Sequence, residues 1–261
     1  MLWPEAPPAQ TPRPLSGRRP RPAAASRAPA PASPLYRVPN APQENLQKLA
    51  TAYQANGCLV YLRQFFDPEV VRHRARLARS GRPLSPSLAP QFAAASAECA
   101  RMRNTMRREK SSIAENRLGC YLSPASLLHS LFAAPSVAAR LSAITGEALS
   151  LSDYPLELRS YPSGASMAWH RDEPLFAVPQ VELVLTLWNS SDSTTEWQDA
   201  GGRMHSQWTE PNSLLALRAA GCCHRVLPVR RGERAIVKVV FSTTRERTAA
   251  YAKNISETYE P

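Results

Sequence analysis

From Pro42 to about Lys110 apolar residues recur at three- and four-residue spacings in "QENLQKLATAYQANGCLVYLRQFF" and "DPEVVRHRARLARSG", with Gly81 and Pro83 as stops. That period predicts helices. Within the first stretch, "CLVY" after Gly57 also reads as a short buried strand. Another helix is predicted in "PSVAARLSAITGEAL", where Val137, Leu141 and Ile144 share a face and Gly146 forms a C-cap. After Leu149 the texture changes to strands in "LELRSY", "QVELVLTLWN", "NSLLALRA", "HRVLPV" and "RAIVKVVFST". In "QVELVLTL", Val181, Leu183, Leu185 and Leu187 alternate with Glu182, Val184, Thr186 and Trp188, the pattern of a sheet packed on one face. Strands joined by loops without helices between them predict an antiparallel sandwich or barrel. The end, "ERTAAYAKNISETYEP", reads as a short helix or a frayed tail.

Composition changes this picture at the N-terminus. The chain has 261 residues and is 43% hydrophobic, enough for a sizeable core, but residues 1–42 are rich in Pro, Ala and Arg and nearly devoid of large apolar side chains. Such a segment buries too little to offset its ordering entropy and is expected to be disordered. The net charge of +11 raises the question of a nucleic-acid partner. Its placement answers against one, since the arginines cluster in that arm and in the polar helical stretches Arg72–Arg82 and Arg101–Lys110, where a solvated face is the simpler reading.

Five cysteines without a CxxC pair describe no disulfide framework, so an intracellular, by default cytoplasmic, setting is expected. The Arg-rich, acid-poor arm is also compatible with organelle import. No apolar run approaches the roughly 18 residues that span a bilayer, so no membrane partner is expected.

The candidate chemistry lies in "YPSGASMAWHRDEPLFAV", where His170 and Asp172 stand two residues apart. Strand side chains alternate faces, so a His-x-Asp presents both groups to one metal ion. Taken alone, the pair reads sooner as a structural hydrogen-bonded couple. A third ligand decides between them. His73 and His129 fall in predicted helices and His205 in the polar loop "GGRMHSQW", whereas His224 opens "HRVLPVRRGERAIVKVVF", which reads as a strand, a turn at "RRGE" and a returning strand. Two histidines and one carboxylate on one side of a metal leave the opposite positions open, as in non-haem Fe(II) oxygenases. Arg234 begins the returning strand. A hairpin turning at Arg231 and Gly232 would leave it about five residues short of His224, roughly 16 Å at about 3.3 Å per residue.

This constellation resembles the 2-oxoglutarate- and Fe(II)-dependent oxygenases of the prolyl 4-hydroxylase-like group over Asn116 to Ser242: an HxD pair, a distal His and a basic residue beyond it, here His170, Asp172, His224 and Arg234. Tyr161 and Gly164 before the first His, "LWN" at Leu187–Asn189 and "GG" at Gly201–Gly202 are similar too. The resemblance implies a double-stranded β-helix (jelly-roll) domain at 112–245, buttressed by a helical region at 43–111 and followed by a tail at 246–261. It implies that His170, Asp172 and His224 hold Fe(II) and carry catalysis, and that 2-oxoglutarate is anchored by Arg234 with Tyr161 nearby. O2 would be consumed, succinate and CO2 released and a substrate C–H bond hydroxylated, with L-ascorbate as a reductant for off-cycle iron. Two positions depart from the pattern. Met167 stands where the family often carries a co-substrate-binding Tyr, and Arg234 stands where prolyl 4-hydroxylases proper use Lys. The second Arg of the AlkB-type demethylases would fall at Val240. The prime substrate stays open among a protein side chain such as peptidyl proline, a small molecule and a nucleobase. A jelly-roll binding module without catalysis and a basic nucleic-acid-binding protein are the alternative readings.

Overall fold

The computed structural model describes residues 43–66 and 88–260, and all of them fall within one compact unit. The arm at 1–42, the expected helix at "DPEVVRHRARLARSG", His73 and the Arg72–Arg82 cluster lie outside the described residues. Helices α1 (Gln43–Ala55) and α2 (Leu88–Arg101) are followed by the short strands β2 (Arg107–Arg108), β3 (Ala114–Glu115) and β4 (Leu118–Tyr121), with β1 (Leu59–Leu62) lying just after α1. Helices α3 (Leu127–Phe132) and α4 (Pro135–Thr145) come next. The strands β5 (Ser150–Leu151), β6 (Glu157–Tyr161), β7 (Ser166–His170), β8 (Val181–Asn189), β9 (Thr195–Gln198), β10 (Met204–Gln207), β11 (Leu214–Arg218), β12 (His224–Val226) and β13 (Arg234–Ser242) then lead to α5 (Ala249–Glu257).

The strands form two antiparallel sheets. The larger runs β1-β11-β8-β13-β6-β4-β2, with β5 added on β13, and the smaller runs β10-β9-β12-β7-β3. This is a jelly-roll arrangement of mainly β structure with flanking helices, and the two sheets do not close into one hydrogen-bonded barrel. "CLVY" resolves as the strand β1, paired with β11.

Helix α4 forms as its sequence dictates. Val137, Leu141 and Ile144 are all buried, and Gly146 closes the helix in the left-handed conformation at φ 78°. Each such aliphatic side chain contributes about 1.5–3 kcal/mol relative to exposure. They pack with Phe65, Phe66 and Phe132 against Val181, Leu183, Leu185 and Leu187 of β8, which puts the helices on the outer face of the larger sheet.

The other face of β8 departs from expectation. Glu182 and Thr186 are buried rather than solvated, because that face looks into the space between the sheets. Alternation with polar residues marks half-buried strands in general, but here both faces are covered and the polar set lines an interior. Strand β13, central between β8 and β6, is buried along its whole length.

Two further expectations are corrected. The "polar loop" holding His205 is part of a hairpin of β9 and β10, with His205 in register with Trp197. Its residues are polar because the outer side meets water, which hides the strand period. The basic run Arg101–Lys110 is not one helical face. It leaves α2 at Arg101, passes through a 3-10 turn at Arg103–Thr105 and continues as β2. Arg103 pairs with Glu233 and lies over the Trp188 ring, while Arg108 donates to Asn116. No helix among the described residues is long and apolar enough to cross a membrane.

Candidate active site

His170 ends β7 and His224 starts β12, and the two are direct cross-strand partners, so their rings share a face. Their centroids lie 4.1 Å apart. Asp172, just past β7, places one carboxylate oxygen 3.6 Å from His170 Nε2 and the other 3.6 Å from His224 Nε2. One ligand atom from each residue falls within 4.8 Å of the others, a spacing that fits a single metal ion.

The opposite ring nitrogens are used alike. His170 Nδ1 lies 2.9 Å from the Ala168 carbonyl and His224 Nδ1 3.4 Å from the Cys222 carbonyl, each two residues back. A carbonyl only accepts, so Nδ1 donates in both rings and Nε2 is the nitrogen turned to the centre. Burial alone would raise the Asp172 pKa, but the neighbouring His224 and His170 rings, with Lys238, hold it well below the usual carboxylate range. Burial pushes the His224 pKa down, with Asp172 opposing. The site therefore rests with an ionised carboxylate and a neutral imidazole at neutral pH, the state a cation needs.

These three residues line a cavity between the sheets together with Arg234, Tyr161 and Met167. Strands β12 and β13 do not form the expected hairpin. Strand β12 pairs with β9 and β7 in the smaller sheet, whereas β13 pairs with β8 and β6 in the larger. The segment 227–233 crosses between sheets, so His224 and Arg234 sit on opposite walls of one space. It is pinned by Asp192, whose carboxylate accepts from the Arg230 and Arg231 amides, and by the Ser190 amide bonded to the Glu233 carbonyl. Gly232 has φ +74°, and a Cβ there would lie 2.2 Å from the Ser190 carbonyl oxygen.

Arg234 is only 2% exposed. Its Nη1 donates to Thr195 Oγ1 of β9 at 2.8 Å and its guanidinium lies 5.6 Å from the Tyr161 ring centre. Its Nε has no hydrogen-bond partner, and none of the described carboxylates pairs with it. The other interior cations differ. Arg159 pairs with Glu157 at 2.6 Å, Lys238 with Glu182 at 2.8 Å, and Arg117 with Glu109. Arg159 thus serves the interior ion network. Trp169 points to the opposite face from His170, under the Arg225 guanidinium at 4.7 Å, and so lies away from the cavity. Cys222 is buried, which pushes its thiol up to about 12.

Several cavity residues escape a reading of the sequence. Lys238 and Glu182 carried a usable signal, since Lys238 shares strand parity with Arg234. Thr195 and Arg117 carried none, because their facing is set by which strands meet.

None of the family models or curated proteins compared with the sequence matches it. Solved structures do match. A Pseudomonas putida prolyl-4-hydroxylase aligns with a TM-score of 0.57 and 19% identity over 78% of this chain and 100% of its own. A Trichoplax adhaerens prolyl hydroxylase in complex with a hypoxia inducible factor peptide fragment gives 0.56 and 11% over 76% and 89%. The α-ketoglutarate-dependent epimerase SnoN from nogalamycin biosynthesis gives 0.55 and 15% over 76% and 83%.

The fold is that of the 2-oxoglutarate/Fe(II) oxygenases. Within this fold His170, Asp172, His224 and Arg234, which pairs with none of the described carboxylates, line one cavity, on the two walls that the jelly roll sets face to face.

Proposed function

We propose that this protein is an Fe(II)- and 2-oxoglutarate-dependent oxygenase that hydroxylates a substrate C–H bond. The observation that carries the reading is Arg234, a buried cation without an acidic partner among the described residues, in the same cavity as a two-histidine, one-carboxylate cluster. Buried charges are costly unless paired, so the guanidinium is matched to an anion brought by a ligand. Its free Nε–H and its bond to Thr195 suit a carboxylate held by charge-assisted hydrogen bonds.

The donor set fits Fe(II): two imidazole nitrogens and one carboxylate, with open positions opposite. When bound, the iron and 2-oxoglutarate supply O2 activation, with 2-oxoglutarate, O2 and R–H giving succinate, CO2 and R–OH. The chain's own residues do the rest. The Ala168 and Cys222 carbonyls fix the ring tautomers, Asp172 brings the negative charge, and Arg234 orients the diacid by its far carboxylate. Tyr161, against the Arg234 guanidinium, belongs to the same co-substrate subsite. Apolar walls at Leu59, Leu215 and Leu217 limit water. L-Ascorbate would serve as a reductant for iron left oxidised outside the cycle.

The prime substrate is a molecule whose C–H bond reaches the metal. The matched structures include both a peptide complex and an enzyme of nogalamycin biosynthesis, so this reading commits to the reaction and not to a substrate class.

The test is an anaerobic titration of the purified protein with Fe(II) and then 2-oxoglutarate, following the visible charge-transfer absorption of the ternary chelate. His170→Ala and Asp172→Ala are expected to lose iron, by more than the roughly 100-fold that removal of an outer partner costs. Arg234→Met is expected to keep iron and lose 2-oxoglutarate affinity by about 10-fold or more. Iron binding without any effect of 2-oxoglutarate would refute the proposal.

A further inference from the structure

Tyr161 is held between two guanidinium groups, Arg234 at 5.6 Å and Arg117 at 5.5 Å from its ring centre. The two cations are not equivalent. Arg117 is 2% exposed, and its Nε and Nη2 are both occupied by the Glu109 carboxylate, so its charge is cancelled inside the protein. That pair is fixed by the backbone as well. The Glu109 amide donates to the Arg117 carbonyl at 3.0 Å, and the chain after α5 bridges Glu109 through Tyr259, with the Lys110 amide bonded to the Thr258 carbonyl.

One nitrogen of Arg117 remains. Nη1 reaches the Tyr161 hydroxyl at 2.8 Å and lies against the Met167 sulfur at 2.9 Å. A guanidinium can only donate, so the Tyr161 oxygen is the acceptor in this bond and its own hydrogen must point elsewhere. Among the described residues nothing accepts it. The Tyr161 O–H and the Arg234 Nε–H are therefore two unused donors on residues that line one cavity, and no hydrogen bond joins Tyr161 to Arg234.

Resting on the co-substrate reading above, we propose that Glu109 and Arg117 are positioning residues: they lock the Tyr161 hydroxyl as a donor aimed at the carboxylate that Arg234 attracts. Arg234 supplies the uncancelled charge and Arg117 supplies the orientation. Met167 offers no donor of its own at this place, and the Glu109–Arg117–Tyr161 chain delivers one from the far side of the cavity.

The experiment is isothermal titration of 2-oxoglutarate into the full chain loaded with Mn(II), which occupies the site without turnover, alongside Mn(II) affinity and thermal melting. Tyr161→Phe and the double variant Glu109→Gln/Arg117→Gln, which removes the buried ion pair as a unit, are each expected to weaken 2-oxoglutarate binding about 10-fold. Mn(II) affinity is expected to stay unchanged. Adding Tyr161→Phe to the double variant is expected to cost nothing more, because Arg117 acts through that hydroxyl. Should the double variant not fold, Arg117→Lys, which keeps a cation beside Glu109 without the nitrogen that reaches Tyr161, carries the same comparison. Unaltered 2-oxoglutarate affinity in the Arg117 variants, or losses that multiply in combination, overturn the positioning role while leaving the co-substrate reading standing. A wild-type chain that binds Mn(II) but not 2-oxoglutarate overturns the co-substrate reading, and the positioning role with it.

Discussion

At the scale of single residues, the cavity sorts its cations by whether a partner is built in. Arg159, Arg117 and Lys238 each have a carboxylate, and only Arg234 among these four is left to a hydroxyl. Thr195 is therefore expected to matter beyond its size. Thr195→Val removes the Oγ1 acceptor and leaves the guanidinium buried with no hydrogen bond, at a cost of about 1.5–3 kcal/mol by chemical or thermal unfolding. Saturating 2-oxoglutarate is expected to recover much of that loss, since the ligand supplies the missing acceptors. Equal destabilisation with and without 2-oxoglutarate would show that the two do not meet. His170, Asp172 and His224 were legible because histidine and aspartate are scarce in this chain and stand at a metal-ligand spacing, and Arg234 because it lies ten residues beyond His224 at the start of a strand-like run. Thr195 and Arg117 were not, since threonines and arginines are common and neither announces its facing.

At the scale of elements, the segment joining β12 and β13 decides the site. It carries the chain from the small sheet to the large one and so converts two strands adjacent in sequence into opposite walls of a cavity. Gly232 is the point where this crossing has no room for a side chain, with φ +74° and the Ser190 carbonyl in the place of a Cβ. Gly232→Ala is expected to destabilise the fold by more than about 1 kcal/mol and to weaken 2-oxoglutarate binding more than metal binding, because Arg234 follows it by two residues. Thermal melting and the two titrations check this. An unchanged melting temperature would refute it. The same element shows why a hairpin was expected. Two strand-like runs around a Gly-containing turn usually pair, and local periodicity reports that a segment is extended without naming its partner.

At the scale of the whole molecule, the interior between the sheets is charged, which sets a pH limit on stability. Burial would raise both Glu109 and Glu157, but Arg159 with Arg117 for the first, and Arg159 with Lys238 for the second, hold them below the ordinary carboxylate range. A carboxylate with a depressed folded pKa contributes stability above its unfolded value and loses it as pH falls through the folded one. Unfolding free energy is thus expected to decline from about pH 4.5 downward. Glu157→Gln, by leaving Arg159 with one acid fewer at the centre of the network, is expected to lower stability at neutral pH by about 3–5 kcal/mol and to flatten that acid slope. Denaturant melts at several pH values measure both, and a variant with an unaltered slope would count against the assignment.

The sequence by itself determined the elements whose signal is local: α4 with its glycine cap, the five main strands, and the identity and spacing of a two-histidine, one-carboxylate cluster followed by an arginine. Hydrophobic period and residue type are properties of neighbouring positions, and they are printed in the chain. Tertiary structure alone decided which strands pair, that the polar face of β8 looks inward, that β9 and β10 form a hairpin holding Thr195, and that Arg117 reaches Tyr161. Each of these depends on contacts between segments far apart in the chain. There the free energy of closing one arrangement rather than another comes from the whole interior being filled and its charges paired, and no single stretch of residues records that choice.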